Sequence, residues 1–95
     1  MANRHLSRSI VLQTLFEWDL NDIDKKGVQE VLERNIDEFA ANKTDNAFID
    51  KLLDGVMSKQ PELDQVIEKA APDWPIDRIS PVDRNILRLG LYELL

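Results

Sequence analysis

The sequence predicts an all-α fold, and three of its features point the same way. Apolar residues recur at spacings of three and four positions along most of the chain, as on one face of a helix. No segment alternates apolar and polar residues as a half-buried strand would. Only four prolines and three glycines interrupt the 95 residues. We therefore expect one small domain over residues 1–95, a compact helical bundle of about five helices.

The first two predicted helices differ in how much of their surface is apolar. The first runs over Arg4–Leu20, and its apolar residues cover most of the circumference, so it should be central. A polar connection over Asn21–Gly27 leads to the second helix, Val28–Ala40. That helix is amphipathic. Its expected core face consists of Val28, Val31, Leu32, Ile36 and Phe39.

The middle of the chain predicts two further helices separated by a proline. Thr44 or Asp45 can cap the third helix, and Pro61 marks a boundary that suits the first turn of a fourth. The stretch from Pro72 to Ile79 is expected to be a stiff connector, with Trp74 as a core residue or an anchor of the connector. The expected buried face of the fourth helix consists of Leu63, Val66, Ile67, Ala70 and Ala71.

The fifth predicted helix begins at Ser80 and carries too many apolar residues for a single core face. Ser80 suits the N-cap, Pro81 the first helical position, and Asp83 adds an acid in the first turn. Gly90, in the middle of the helix, is expected to permit close approach of a neighbour. The apolar residues point almost all round the helix, which therefore needs cover on several sides. They are Ile86, Leu87, Leu89, Leu91, Tyr92, Leu94 and Leu95.

Composition narrows the classes of function. The chain has no cysteine, which excludes disulfides and thiolate metal sites. It has no apolar run long enough for a bilayer and no signal-type opening, so a cytoplasmic protein without membrane contact is predicted. The net charge of −6 argues against a generic coat for nucleic acid. The charge is uneven, however. Residues 21–70 hold twelve acids and seven bases, whereas residues 1–16 hold no acid.

The acid-free start of the chain contains the best candidates for binding an anion. Arg4, His5 and Arg8 lie within about one turn of the first helix and could contact phosphates, although a solvated helix end has the same appearance. We predict no catalytic residues, no metal site and no cofactor. The only histidine has no nucleophile or carboxylate at a recognisable spacing, and the glycines form no phosphate-binding loop.

Two stretches resemble the NusB family, the bacterial transcription antitermination and ribosomal RNA processing factors. The more specific one is Asp-Arg-Ile-Ser-Pro-Val-Asp-Arg-Asn-Ile-Leu-Arg-Leu-Gly-Leu-Tyr-Glu-Leu, residues 77–94. The opening, Arg-His-Leu-Ser-Arg-Ser-Ile-Val-Leu-Gln-Thr-Leu-Phe-Glu-Trp at residues 4–18, is similar to the family's first helix. Residues 48–71 fit its middle, and residues 21–43 resemble it least. The resemblance thus spans nearly the whole chain.

The resemblance implies an RNA-binding adaptor. It implies that the chain binds single-stranded box A-type RNA together with a ribosomal-protein partner, the antitermination factor NusE. The family's arginine-rich stretch falls on Arg4, His5 and Arg8. Phe16 occupies a position where the family often has a tyrosine that touches RNA, although a core phenylalanine is an equal alternative.

The start of the fifth helix carries the candidate partner-binding residues. The resemblance makes Asp83 and Arg84 candidates for contact with the ribosomal protein, and Asp77 and Arg78 belong to the same cluster. Local capping and ion pairing would explain these charges equally well. Family members carry further helices after the Leu-Tyr-Glu-Leu element, so this chain is expected to be a fragment or a shortened member. A homodimer that forms through the exposed last helix would then bury the apolar residues that those further helices would otherwise cover.

Two other functions remain open at this point. A protein-only helical interaction module would fit the acidic composition, with little affinity for RNA. The accessory domain of an RNA cytosine methyltransferase resembles this kind of domain, but no cofactor-binding half follows here.

Overall fold

The computed structural model describes residues 4–39 and 44–94, and these form four α-helices. They are α1 (Arg4–Asn21), α2 (Lys25–Phe39), α3 (Asn46–Ala70) and α4 (Pro81–Leu94), with a 3-10 helix at Ile76–Arg78 before α4. No strand occurs among the described residues, and the all-α fold class is confirmed. None of the helices within these ranges combines the length and the apolar character that crossing a membrane requires.

Three of the helices are capped at the N-terminus by a side chain that accepts a backbone hydrogen bond. Asp24, Asp45 and Ser80 each accept from the N–H three residues later, at 2.7, 3.1 and 3.2 Å respectively. The caps at Asp45 and Ser80 were predicted. The cap at Asp24 was not, and it moves the start of α2 from Val28 to Lys25.

The predicted boundary at Pro61 is wrong, because α3 continues through this residue. A proline inside a helix removes one hydrogen bond and costs about 3 kcal/mol. Val56 before it and Leu63 after it are both buried, and burying one such side chain contributes about 1.5–3 kcal/mol. A continuous helix keeps both of these side chains buried, and their burial offsets the free-energy cost of the proline. The side chain of Pro61 itself is exposed. The third and fourth predicted helices are a single helix.

The chain divides into two compact units, Met1–Leu53 and Asp54–Leu95, with the division inside α3. The single domain over residues 1–95 stays a prediction. In the first unit, α1, α2 and the beginning of α3 share a core. Phe39 does not belong to it, since its side chain is 59% exposed. The buried apolar residues of this unit are Ile10, Val11, Leu15, Val28, Leu32, Ile49, Leu52 and Leu53.

A polar network joins α1 to α2 beside that core. Asn35 is fully buried and donates to the Thr14 hydroxyl at 3.1 Å and to Glu17 at 2.9 Å. Arg34 forms an ion pair with the same carboxylate. Burial alone would raise the pKa of Glu17, but the hydrogen bonds from Asn35, Arg34 and Gln13 outweigh it and lower that pKa. The carboxylate therefore stays ionised at neutral pH and keeps the two helices joined.

The second unit is held by a buried ion pair between α3 and α4. Arg88 Nε lies 2.7 Å from Asp64 Oδ1, and Arg88 Nη2 lies 2.9 Å from Asp64 Oδ2, so the pair is bidentate. Gln60 donates to the same carboxylate at 2.5 Å, and Arg88 also donates to Asn85 at 3.1 Å. The apolar residues buried in this unit are Val56, Leu63, Ile67, Ile79 and Leu89.

Because of this ion pair, the buried face of α3 differs from the face predicted from the sequence. Leu63 and Ile67 are buried as predicted, but Asp64 is buried as well. Val66 is 44% exposed and Ala70 is also exposed, so the predicted inward face was wrong at these two positions. A sequence pattern of apolar spacings assigns an aspartate such as Asp64 to the solvent-facing side of a helix. Its burial becomes favourable only because Arg88 on α4 pairs with it.

Gly55, and not Gly90, permits close packing within the second unit. A Cβ atom at position 55 would overlap the ring and hydroxyl of Tyr92. A Cβ atom at Gly90 would meet no atom within 4 Å. The close approach predicted at Gly90 is therefore not made by any described part of this chain.

We predict that breaking the Asp64–Arg88 pair strongly destabilises the protein. Arg88→Met leaves a buried carboxylate without its guanidinium, and the free energy of unfolding should fall by about 3–5 kcal/mol. Urea denaturation followed by circular dichroism measures this loss. The double variant Asp64→Leu/Arg88→Met removes both charges and should recover most of it. A double variant as unstable as Arg88→Met would show that packing of the arginine stem, and not the charge, is what matters.

Candidate functional site

The candidate RNA-binding residues Arg4, His5 and Arg8 lie in the first two turns of α1. Arg4 and His5 are exposed, and Arg8 is partly buried. Arg4 and Arg8 are four positions apart and so share one face of the helix, whereas His5 is turned about 100° from Arg4.

Phe48, near the start of α3, joins the two arginines. The Arg4 guanidinium carbon lies 4.8 Å from the centre of the Phe48 ring, and that of Arg8 lies 5.3 Å from it. Both distances are within the range of a cation–π interaction, which contributes about 0.5–1 kcal/mol at an exposed site. We refer to Arg4, Arg8 and Phe48 as the basic cluster.

Two hydrogen bonds through Asp45 fix the position of Phe48. The carboxylate of Asp45 accepts from the Phe48 N–H at 3.1 Å, which caps α3. The N–H of Asp45 donates to the hydroxyl of Ser7, which is fully buried in α1, at 3.2 Å. The start of α3 is thereby tied to the turn of α1 that carries both arginines.

Phe16 does not join the basic cluster. It is partly buried and lies about 12 Å along the axis of α1 from Arg8, at 1.5 Å per residue. Both interpretations of Phe16, a base-stacking residue or a core residue, remain predictions. Phe48 was missed as a functional candidate because its spacing with Ile49 and Leu52 is that of a core face. The available signal was its place in the first turn of a helix, three residues after the cap.

The candidate partner-binding residues surround the start of α4. Asp77 and Arg78, in the 3-10 helix, and Asp83 are exposed. Arg84 is partly buried, and its Nη1 lies 3.4 Å from the carbonyl oxygen of Ile76 and 3.3 Å from that of Ile79. Arg84 therefore helps to hold the connector against the first turn of α4, while the other three present charge to solvent.

Trp74 is not a core residue. Its side chain is 69% exposed, so the prediction of a core contact is wrong. Pro72 and Pro75 on either side restrict the backbone of this segment. The indole instead borders a shallow cleft of about 300 Å³ beside Arg78 and Ile79.

A second surface feature is an apolar groove between α3 and α4, within the second unit. The groove has a volume of about 400 Å³, and Gly90 forms part of its lining. Several large side chains on it are exposed: Val66 by 44%, Ile86 by 49%, Leu87 by 47% and Leu94 by 84%. Its lining residues are Val66, Ile67, Ala70, Ala71, Ile86, Leu87, Gly90, Leu91 and Leu94.

Among residues 4–39 and 44–94, no group of three or more histidine, cysteine, aspartate or glutamate side chains is arranged to hold a metal ion. The basic cluster presents arginine and aromatic groups, and the start of α4 presents arginine and carboxylate groups.

Comparison with known proteins gives consistent matches over nearly the whole chain. Residues 5–95 match the NusB family. The transcription antitermination protein NusB of Bacillus subtilis is 43% identical over 91 residues, which are 96% of this chain and 64% of that protein. The protein of the same name from Elusimicrobium minutum is 38% identical over 95 residues, 100% of this chain and 66% of that protein.

A third relative, the transcription antitermination protein NusB of Ruminiclostridium cellulolyticum, is 34% identical over 92 residues, 97% of this chain and 61% of that protein. The chain thus spans between 61% and 66% of the length of these three relatives. No solved structure matches it significantly. The family match over residues 5–95 and the agreement of these relatives establish that the chain belongs to the NusB family.

Proposed function

We propose that the chain is an RNA-binding adaptor in transcription antitermination and ribosomal RNA transcription. It binds box A-type single-stranded RNA through the start of α1 and acts together with the ribosomal protein NusE. One observation carries the proposal: two arginines converge on Phe48 within the longest acid-free stretch of an acidic chain. The three relatives named above are all transcription antitermination proteins, which supports it further.

The chemistry of the basic cluster suits a phosphate backbone. A guanidinium carries a permanent charge and a planar fork of N–H donors that matches phosphate oxygens. Contacts of this kind position an RNA strand without reading its sequence. His5 and Phe16 extend the proposed surface to further polar and aromatic contacts along α1. The function is assembly in the cytoplasm, which requires no cofactor and no catalytic group.

Two other functions remain as competitors. The net charge of −6 and the exposed apolar groove favour a protein-only interaction module. The accessory domain of an RNA cytosine methyltransferase is the weaker competitor, and methyl transfer to RNA by a complex containing this chain would support it.

RNA binding should depend on Arg4 and Arg8. On a single strand each phosphate contact contributes about −0.7 to the slope of log affinity against log salt, so Arg4→Ala/Arg8→Ala should flatten the slope by about 1.4. Fluorescence anisotropy with a short box A-type RNA, measured over a range of salt, tests this.

The matched control for that experiment is Lys59→Ala/Lys69→Ala. It removes the same charge from exposed positions of α3 and should leave the slope unchanged. Equal affinity and equal slope in the arginine variant and the wild-type protein would exclude the start of α1 from the interface.

The protein partner is proposed to contact the charged start of α4. Asp77, Arg78 and Asp83 supply exposed charges of both signs, and Arg84 positions the connector from which two of them project. Mixed charges at the rim of an interface contribute to orientation and to the rate of association.

Asp83→Lys should weaken binding of NusE without unfolding the chain. The substitution reverses a charge in the first turn of α4 and should cost about 0.3–1 kcal/mol of stability through the helix dipole. Isothermal titration with NusE gives the affinity. Glu68→Lys reverses an exposed acid elsewhere on the second unit and serves as the control. If both variants bind NusE equally well, Asp83 is not part of the partner surface.

We further propose that a second copy of the chain covers the apolar groove. Leaving side chains such as Ile86 and Leu94 in water forgoes about 1.5–3 kcal/mol each. Ile86 and Leu94 are exposed apolar residues that line the same groove as Gly90, and we refer to these two side chains as the ridge. A twofold arrangement can therefore place the ridge of each copy in the groove of the other.

Light scattering over a dilution series should give twice the 11.0 kDa mass of one chain at high concentration. Leu94→Lys should shift the protein to monomer, because Leu94 is 84% exposed and a charge there would be buried on association. Leu20→Lys, at an exposed position of α1, is the control and should not. A cooperatively folding monomer at every concentration would contradict the dimer.

A further inference from the structure

We propose that Phe48 is a positioning residue of the RNA-binding surface, its ring holding the guanidiniums of Arg4 and Arg8 in the directions from which they contact phosphate. The inference rests on the proposed function of the first helix. It adds to that function a residue of α3, outside the arginine-bearing helix.

The geometry of the basic cluster keeps two like charges together. Both guanidinium carbons lie within 5.3 Å of the same ring centre, so they are no more than about 10 Å apart. Two cationic side chains on adjacent turns of one helix repel each other and would otherwise tend to separate. The electron-rich face of an aromatic ring attracts both and so opposes this separation.

Stacking on the ring is compatible with binding an anion. A guanidinium over an aromatic ring uses its face, whereas its N–H donors lie in the plane of the group and point outward from its edge. The ring can therefore restrict the orientation of the guanidinium, while the N–H groups of the guanidinium stay available to donate to a phosphate. Side chains held in this way lose less freedom when RNA binds, and affinity rises accordingly.

The position of the ring is itself fixed relative to α1. The hydrogen bond from Asp45 N–H to the buried Ser7 hydroxyl holds the first turn of α3 against the turn of α1 between the two arginines. The carboxylate of Asp45 then holds the Phe48 N–H. Neither hydrogen bond involves the ring, so a substitution of the side chain at position 48 leaves this anchor in place.

The test compares Phe48→Leu with Phe48→Tyr by anisotropy, using the short box A-type RNA over a range of salt. Leucine keeps an apolar side chain but removes the ring, and affinity should fall about three- to tenfold, because the two arginine side chains would then lose more freedom when RNA binds. Both arginines keep their charge, so the salt slope should stay as in the wild-type protein. Tyrosine keeps the ring and should restore the affinity.

A third variant, Phe48→Leu/Arg4→Ala/Arg8→Ala, shows whether Phe48 acts through the arginines. It should bind RNA no more weakly than Arg4→Ala/Arg8→Ala alone. Thermal melts of all variants separate binding from folding. If Phe48→Leu folds and binds like the wild-type protein while Arg4→Ala/Arg8→Ala binds more weakly, the positioning role is wrong and the proposed function stands. If neither variant changes binding, or the wild-type protein binds no RNA, the proposed function fails first.

Discussion

The orientation of α4 on α3 depends on the buried ion pair between Asp64 and Arg88. A bidentate carboxylate–guanidinium pair has one good geometry, and in a buried site any rotation of α4 would leave both charges unsatisfied at a cost of several kcal/mol. Apolar contacts alone would tolerate such a rotation, because α4 carries leucine or isoleucine on most of its surface. The ion pair therefore selects the face that is buried with Leu89 and, in doing so, turns Ile86 and Leu94 outward. The apolar groove is a consequence of this selection.

In the first unit, buried polar groups likewise fix how the helices pack against one another. Asn35 joins α1 and α2 through Thr14 and Glu17, and Ser7 joins α1 to the start of α3 through Asp45. A small core of leucine, isoleucine and valine permits many similar packings, whereas a buried hydrogen bond is satisfied in few of them. The Ser7 bond has the most direct consequence for function, because it brings Phe48 to the two arginines.

Local signals predicted much of this fold. The caps at Asp45 and Ser80, the start of α4 at Pro81 and the all-α class follow from interactions within one turn or from the spacing of apolar residues. Apart from the missed cap at Asp24, which is a local contact, the main failures involve partners distant in sequence. Asp64 is separated from Arg88 by 24 positions, and the continuation of α3 through Pro61 depends on burial on both sides of the proline. Phe48 is separated from Arg4 by a whole helix and two connections, so no local pattern could reveal that they meet. The positions of Arg4, His5 and Arg8 on one helix could be predicted, but not the ring that joins the two arginines.

An acidic chain can still offer an anion a favourable surface, because charges in water act over a limited distance. At physiological ionic strength the Debye length is about 8 Å, so exposed acids farther away than this are largely screened. Arg4 and Arg8 are no more than about 10 Å apart, on a stretch of 16 residues without an acid. A phosphate approaching them experiences these two charges and the nearby carboxylate of Asp45 more than the net charge of −6. The attraction of the Phe48 ring opposes the mutual repulsion of the two guanidiniums and so helps to keep both charges on this surface.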